Sequence, residues 1–404
     1  MTRRICENAD GTAAPVRLYS GPITFGEQGL IRTGFVAIIW EPEPRVEFEV
    51  EAEEGFDKGL LTGDWETTGI GLTLDNGRRC QSHPDRWDYW EDRVAVRGEI
   101  EPVSFGAATV RRLRAYVVNL PLVKRPRTTE MIGNGWRLRL KDLDSGDREE
   151  KGFFITGSLV VEREDGEEFD PERGVAILEA FDHFGTLAQG AWATHALPIG
   201  TGAAGRIVWE RWVVGRVDRH ETGDGWATHY PENAEVLAEL WPGFLSKWED
   251  PEWRPTIRTL ATLLAEATAH TDGEAALLMI DVVLELLSWA IVVSDGDMVS
   301  AEGHDRLQGP DRLRLLLAVV HMDRRVPDGL HELAAAARRL HWVDGPHAIA
   351  QIRDAVVHPR KRQSLSDVSQ EAILQAQLLA RDYAHGAIAH LFGATGWKAW
   401  TDRW

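Results

Sequence analysis

The sequence predicts an α+β protein: a β-rich sandwich or barrel-like region over residues 1–230, then an all-α bundle over residues 231–404. Two observations predict it. Up to about residue 220, short segments alternate apolar and polar residues as half-buried strands do, and from about residue 231 the apolar positions recur at helical spacing. Punctuation agrees: Gly, Pro, Asn and Asp interrupt the first part, whereas Ser294-Asp295-Gly296-Asp297, Gly309-Pro310 and Val343-Asp344-Gly345-Pro346 separate long helical runs in the second. At 404 residues the chain is too long for one ordinary core, so two domains or more are expected.

The predicted strands fall at residues 35–40, 45–53, 69–74, 93–100, 109–120, 136–140, 153–162 and 205–217. One helix interrupts them, with Asp170 as N-cap and Pro171 at the first helical position, ending before Gly185. The bundle is predicted from helices at 231–248, 251–269, 273–293, 310–321, 329–340, 346–357 and 367–391, antiparallel where the connections are short.

Composition narrows the function. A net charge of -19 repels nucleic acid at long range, so any phosphate binding is confined to a local basic patch. Two cysteines, Cys6 and Cys80, make neither a disulfide framework nor a four-thiolate zinc site, which fits a reducing cytoplasm. The first ten residues hold no apolar run of the secretory kind. The apolar stretch at 275–293 carries Asp281 and Glu285, as a core helix does and a membrane span does not. No phosphate-binding loop, dinucleotide fingerprint or His-Glu-x-x-His site occurs. Tryptophan is abundant, at 17 residues, with Trp209, Trp212, Trp226, Trp241, Trp248 and Trp253 gathered where strands give way to helices. A domain interface packed with aromatic rings is expected there, ahead of base stacking.

One motif carries chemistry. In Ile352-Arg353-Asp354-Ala355-Val356-Val357-His358-Pro359, an arginine stands five residues before a histidine that a proline follows. Similar spacing recurs in Arg78 with His83, Arg314 with His321 and Arg325 with His331. The first lies in a polar Gly/Asn/Pro loop, the third crosses Pro327-Asp328-Gly329, and the second shares a face of a predicted helix. Only Arg353 and His358 combine a polar residue after the arginine with a helix-ending His-Pro.

Over residues 250–404 this pattern resembles the HEPN superfamily of small helical bundles, many of them ribonucleases. Asp281 to Leu287 looks like the acidic, apolar first helix of such bundles. The ending Phe392-Gly393-Ala394-Thr395-Gly396-Trp397 is similar to that of ApeA-like and YopA-central-domain-like bacterial proteins. The resemblance implies a metal-independent endoribonuclease of bacterial defence or stress response that needs no cofactor and leaves a 2′,3′-cyclic phosphate. Arg353 and His358 would be catalytic, paired across a homodimer, with RNA as partner and the β-rich region as sensor or docking element.

The residue types suit that reaction. Histidine moves protons near neutral pH, and the fork of an arginine spans two phosphate oxygens. Arg360, Lys361 and Arg362 form the dense cationic run beside the motif and are candidates for phosphate contacts. Five helical residues turn about 500°, so the two side chains point roughly 140° apart within one subunit. An alternative stays open: a non-enzymatic protein whose bundle only dimerises while the β-rich region binds a partner, with Arg353 paired to a carboxylate and His358 ending its helix.

Overall fold

A computed structural model of the chain describes residues 14–25, 30–40, 43–53, 69–89, 93–120, 128–142, 152–218, 233–269, 273–358 and 368–394. Strands β1 (Val16–Phe25), β2 (Leu30–Ile39), β3 (Arg45–Glu53), β4 (Ile70–Leu74), β5 (Arg79–Tyr89) and β6 (Arg93–Ile100) close a barrel in the order β1-β2-β3-β6-β5-β4. Alternation drives the closure. Val46, Phe48 and Val50 of β3 point into the barrel core, while outward-facing Glu49 pairs with Arg97 directly across on β6, at 2.7 Å.

Strand β5 is a correction to the sequence reading, which takes Arg78 to His83 as loop. Its inward positions are Cys80, Ser82 and Pro84, small or polar residues that give no hydrophobic period. Ser82 compensates by donating from Oγ to the Ile70 carbonyl at 2.8 Å, and Pro84 sits at a bulge where its missing N–H costs no ladder bond.

The second sheet contains β7 (Val103–Phe105), β8 (Arg112–Val118), β9 (Thr128–Gly133), β10 (Trp136–Asp142), β11 (Ile155–Arg163), β12 (Thr194–Thr201) and β13 (Ile207–Trp212), ordered β7-β13-β12-β8-β11-β10-β9. Asn134 and Gly135, with φ of 48° and 78°, turn β9 back into β10 as a tight hairpin demands. Helix α1 (Pro171–Gln189) packs on this sheet. It begins as expected, with Asp170 accepting from the Glu172 N–H at 3.1 Å, but runs past Gly185 to end at Gly190 in the left-handed conformation, φ 72°. Gly185 instead lies buried within α1, where a Cβ would make ordinary contact with Leu120 and Ala193.

The bundle comprises α2 (Asn233–Glu249), α3 (Arg254–Ala269), α4 (Gly273–Ser288) with its π-helical continuation Trp289–Asp295, α5 (Ala301–Asp305), α6 (Gly309–Val319), α7 (His331–Leu340), α8 (Gly345–Val357) and α9 (Gln370–Leu391). All seven predicted helices are present, and the short α5 is additional. Among the described residues, Gly273–Asp295 is the one helix long and apolar enough to cross a membrane. Here it lies against α9 and α3, with Leu277, Ile280 and Leu287 fully buried, and Asp281 and Glu285 take arginine partners.

Two hydrophobic clusters hold the fold. One fills the barrel and continues to Phe153, just before β11, and to Trp212 of β13; Trp40 stacks on Phe153 with ring centroids 5.9 Å apart. The other runs without a break from the sheet through α1 into the bundle. Phe181 and Phe184 of α1 meet Trp241 and Phe244 of α2 there, and Trp241, Phe244 and Trp248 stack in series. Of the tryptophans expected at an aromatic junction, Trp241 and Trp248 form this seam and Trp209 lies in the same cluster, whereas Trp212 belongs to the barrel cluster and Trp226 lies outside the described residues.

Candidate functional site

Helix α8 positions the motif, and its start is fixed by charge. Asp344 accepts from the His347 N–H at 3.0 Å and from Arg314 Nε and Nη2 at 2.8 and 3.0 Å, while Pro346 presets the first turn. Arg314 is thereby a structural cation and not the partner of His321, which lies beyond the end of α6 with φ 59°. The other two rivals also separate. Arg78 packs over Phe105 and Trp212 and pairs with Glu210, whereas Arg325 pairs with Asp323.

At its far end α8 stops at Val357. His358 is extended, φ −105° and ψ 109°, because the following proline disfavours the helical region, and its N–H still donates to the Asp354 carbonyl at 2.9 Å. The imidazole is exposed. Arg360, Lys361 and Arg362 lie outside the described residues, as does Cys6; burial pushes the Cys80 thiol up to about 11.

Arg353 is half-buried. It donates from Nε to Asp281 Oδ2 and from Nη1 to Asp354 Oδ1, both at 2.9 Å. Burial works against its charge, but the two carboxylates outweigh burial and hold its pKa above the ordinary value. Asp281 is buried more deeply. Desolvation therefore lifts its pKa above the usual carboxylate range despite the pull of Arg353, so the pair compensates the arginine more fully than the acid.

This pair forms one wall of a cleft of about 540 Å³ between α4, α6 and α8. Leu284, Leu313 and Ile349 give it an apolar floor, and Glu285, Gln308, Gln351 and Arg312 line its sides. Arg312 is fixed by five contacts: Nη1 to Glu285 Oε2 at 2.9 Å, Nε to the His304 and Leu307 carbonyls, Nη2 to the Asp305 carbonyl, and its own carbonyl accepting from Ser288 Oγ. Ser288 lies where α4 passes into its π-helical turn, and its hydroxyl is 3.0 Å from the Nε2 of buried His304, whose pKa burial and Arg312 both lower. His358 is not among the residues lining the cleft.

The structure thus brings Arg353 together with Asp281 and Asp354 and leaves His358 outside on the helix end. Sequence reasoning missed Arg312, Ser288 and His304. Their only sequence signal was an apolar helix interrupted by acids, which fixes no partner.

The molecule is accordingly an α+β protein in which a closed barrel and a mixed sheet-helix layer carry a bundle with an arginine-lined cleft. Comparison places it beside one family: residues 108–223 match the YopA central domain, the sheet with α1, and residues 250–397 match the YopA C-terminal domain, the bundle. A curated relative, the SPbeta prophage-derived uncharacterized protein YopA of Bacillus subtilis (strain 168), is 22% identical over 216 residues. That match covers 52% of this chain and 46% of the relative, so the chain spans about half the length of the curated protein it matches. No solved structure matches. The two domain matches and the relative support a YopA-like family.

Proposed function

We propose that the bundle is a metal-independent endoribonuclease of the HEPN type that acts as a homodimer in the bacterial cytoplasm. The observation that carries this reading is the placing of Arg353 on the wall of an open cleft, with His358 exposed at the end of the same helix. An imidazole so placed meets bulk solvent and a partner surface, where it takes the 2′-hydroxyl proton or returns one to the leaving 5′-oxygen. Arg353 neutralises the phosphate as charge builds on it.

Since His358 is exposed and does not line the cleft that Arg353 lines, a composite site takes the histidine from one copy and the arginine from another. Val357, one residue before His358 and one turn beyond Arg353, and Val282, next to Asp281, are large apolar residues left about half exposed, as a self-association face leaves them. A role in defence or stress response is in keeping with the prophage origin in the relative's name, and the β-rich half then supplies the sensor or docking element.

A second reading is favoured by the two carboxylates on Arg353, which satisfy it as a structural ion pair: the bundle then only dimerises and the β-rich region binds a partner. Incubating the purified full chain with total RNA in excess EDTA separates the two. Cleavage that survives chelation and leaves 2′,3′-cyclic ends supports the nuclease; intact RNA alongside a stable dimer supports the second reading.

A further inference from the structure

The cleft is much larger than a phosphate needs, and its charge is wrong for a bare anion: Asp281, Glu285 and Asp354 face only two arginines, Arg312 and Arg353. Its size and its mixture of apolar and guanidinium groups suit a heterocycle. Leu284, Leu313 and Ile349 form the floor, and the Arg312 guanidinium is held rigid by Glu285 and three backbone carbonyls. Nucleobases rest on such surfaces and on arginine planes.

The polar edge is specific. Glu285 gives one carboxylate oxygen, Oε2, to Arg312, and Oε1 accepts no hydrogen bond from the described residues. Across from it stands Gly309, where an added Cβ would lie 3.4 Å from Glu285 Oε1 and 4.0 Å from Arg353 Nη2. Gly309 is the first residue of α6 and has no positive φ, so its backbone does not require glycine. Gly309 thus borders the gap where the cleft opens between this carboxylate and the guanidinium, and a Cβ there would make only ordinary contact with each.

We propose that this gap is a guanine subsite, in which the base of a guanosine phosphate sets its Watson–Crick edge against Glu285 and turns its phosphate toward Arg353. An ionised carboxylate accepts only, and guanine alone among the four bases offers it two adjacent donors, N1–H and N2–H. Adenine and cytosine present a ring-nitrogen acceptor beside their amino group, and uracil flanks its single N–H with two carbonyls. Each mismatch sets an acceptor against the carboxylate. Base recognition of this kind also relieves the chain's acidity, because affinity then rests on a neutral heterocycle rather than on attraction of phosphates over distance. The link to RNA cleavage rests on the nuclease reading; the binding site itself does not.

Isothermal titration of the full chain with GMP, AMP, CMP and UMP tests it. GMP binds about tenfold tighter than the other three or better. Glu285→Gln removes that preference while Arg312 keeps its backbone carbonyls and the fold, and Gly309→Leu, which fills the gap without altering charge, abolishes binding of all four. A single-stranded RNA with one guanosine that competes with GMP makes RNA the source of the base, and competition by free GMP alone makes it a mononucleotide. Equal affinities, no binding up to millimolar GMP, or a preference retained in Glu285→Gln overturns the proposal. Preferential GMP binding without RNA cleavage leaves the subsite standing and removes the nuclease; cleavage with no guanosine preference does the reverse.

Discussion

Arg353 Nε donates to Asp281 Oδ2 at 2.9 Å and ties α8 to α4 along one wall of the cleft. Both groups are mostly shielded, with side chains 30% and 17% exposed, so removing the acid leaves a half-buried guanidinium with Asp354 alone. Asp281→Asn keeps an oxygen that accepts from Arg353 and gives up only a charge that burial disfavours, so it moves the urea midpoint little at neutral pH, whereas Asp281→Ala, which removes the partner on α4, lowers stability by roughly 1–3 kcal/mol. Its pH dependence has a definite sign. The folded pKa of Asp281 lies above its unfolded value, so the folded state binds the proton more tightly, and this contribution to stability is lost as pH rises through the folded pKa. Relative to Asp281→Asn, the wild-type protein gains stability as pH falls through the folded pKa of Asp281. A difference that shrinks as pH falls contradicts the burial argument.

On the nuclease reading, His358→Ala abolishes RNA cleavage and leaves the urea midpoint unchanged, because the ring is exposed at a helix end and holds nothing together. Arg353→Lys also loses most activity, since an ammonium cannot span two phosphate oxygens or reach both Asp281 and Asp354. The control is His321→Asn, because an alanine at φ 59° would be strained where asparagine is tolerated. Wild-type cleavage by the His358 variant would remove the catalytic assignment.

The sequence revealed what periodicity and capping encode. Asp170-Pro171 marked the start of α1, and Asp344-Gly345-Pro346 that of α8, because capping is a local interaction. It hid what depends on distant partners. Strand β5 escaped because its inward Ser82 is satisfied by Ile70 on the neighbouring strand, and Gly185 reads as a helix end although the left-handed cap that ends α1 is Gly190. For the site, the spacing identified Arg353 and His358. The cleft itself depends on Glu285, Gly309 and Arg312 converging from α4 and α6, and no single segment carries that pattern.

The composite arrangement requires two copies. Light scattering is expected to give twice the 45.2 kDa chain mass at micromolar concentration, and Val357→Glu, which charges an exposed apolar residue beside His358, is expected to return the protein to monomer and remove cleavage together. A wild-type monomer, or a monomeric variant that still cuts RNA, argues against the shared site.

A last prediction concerns Asn119, the fully buried residue that follows β8. Its side chain ties three segments: Nδ2 donates to the Gly152 carbonyl at 3.0 Å and the Asp218 carbonyl at 2.7 Å, and Oδ1 accepts from the Phe154 N–H at 2.7 Å. Its φ of 54° is one that asparagine tolerates and most side chains do not. Asn119→Ala strands three backbone groups and adds strain, so it costs about 2–4 kcal/mol, whereas Asn119→Gly loses the same bonds without the strain and is less damaging by ~1 kcal/mol. Urea denaturation of the two variants separates these contributions. If alanine costs under ~1 kcal/mol, the bonds are replaced by water and the residue is not the clamp its geometry indicates.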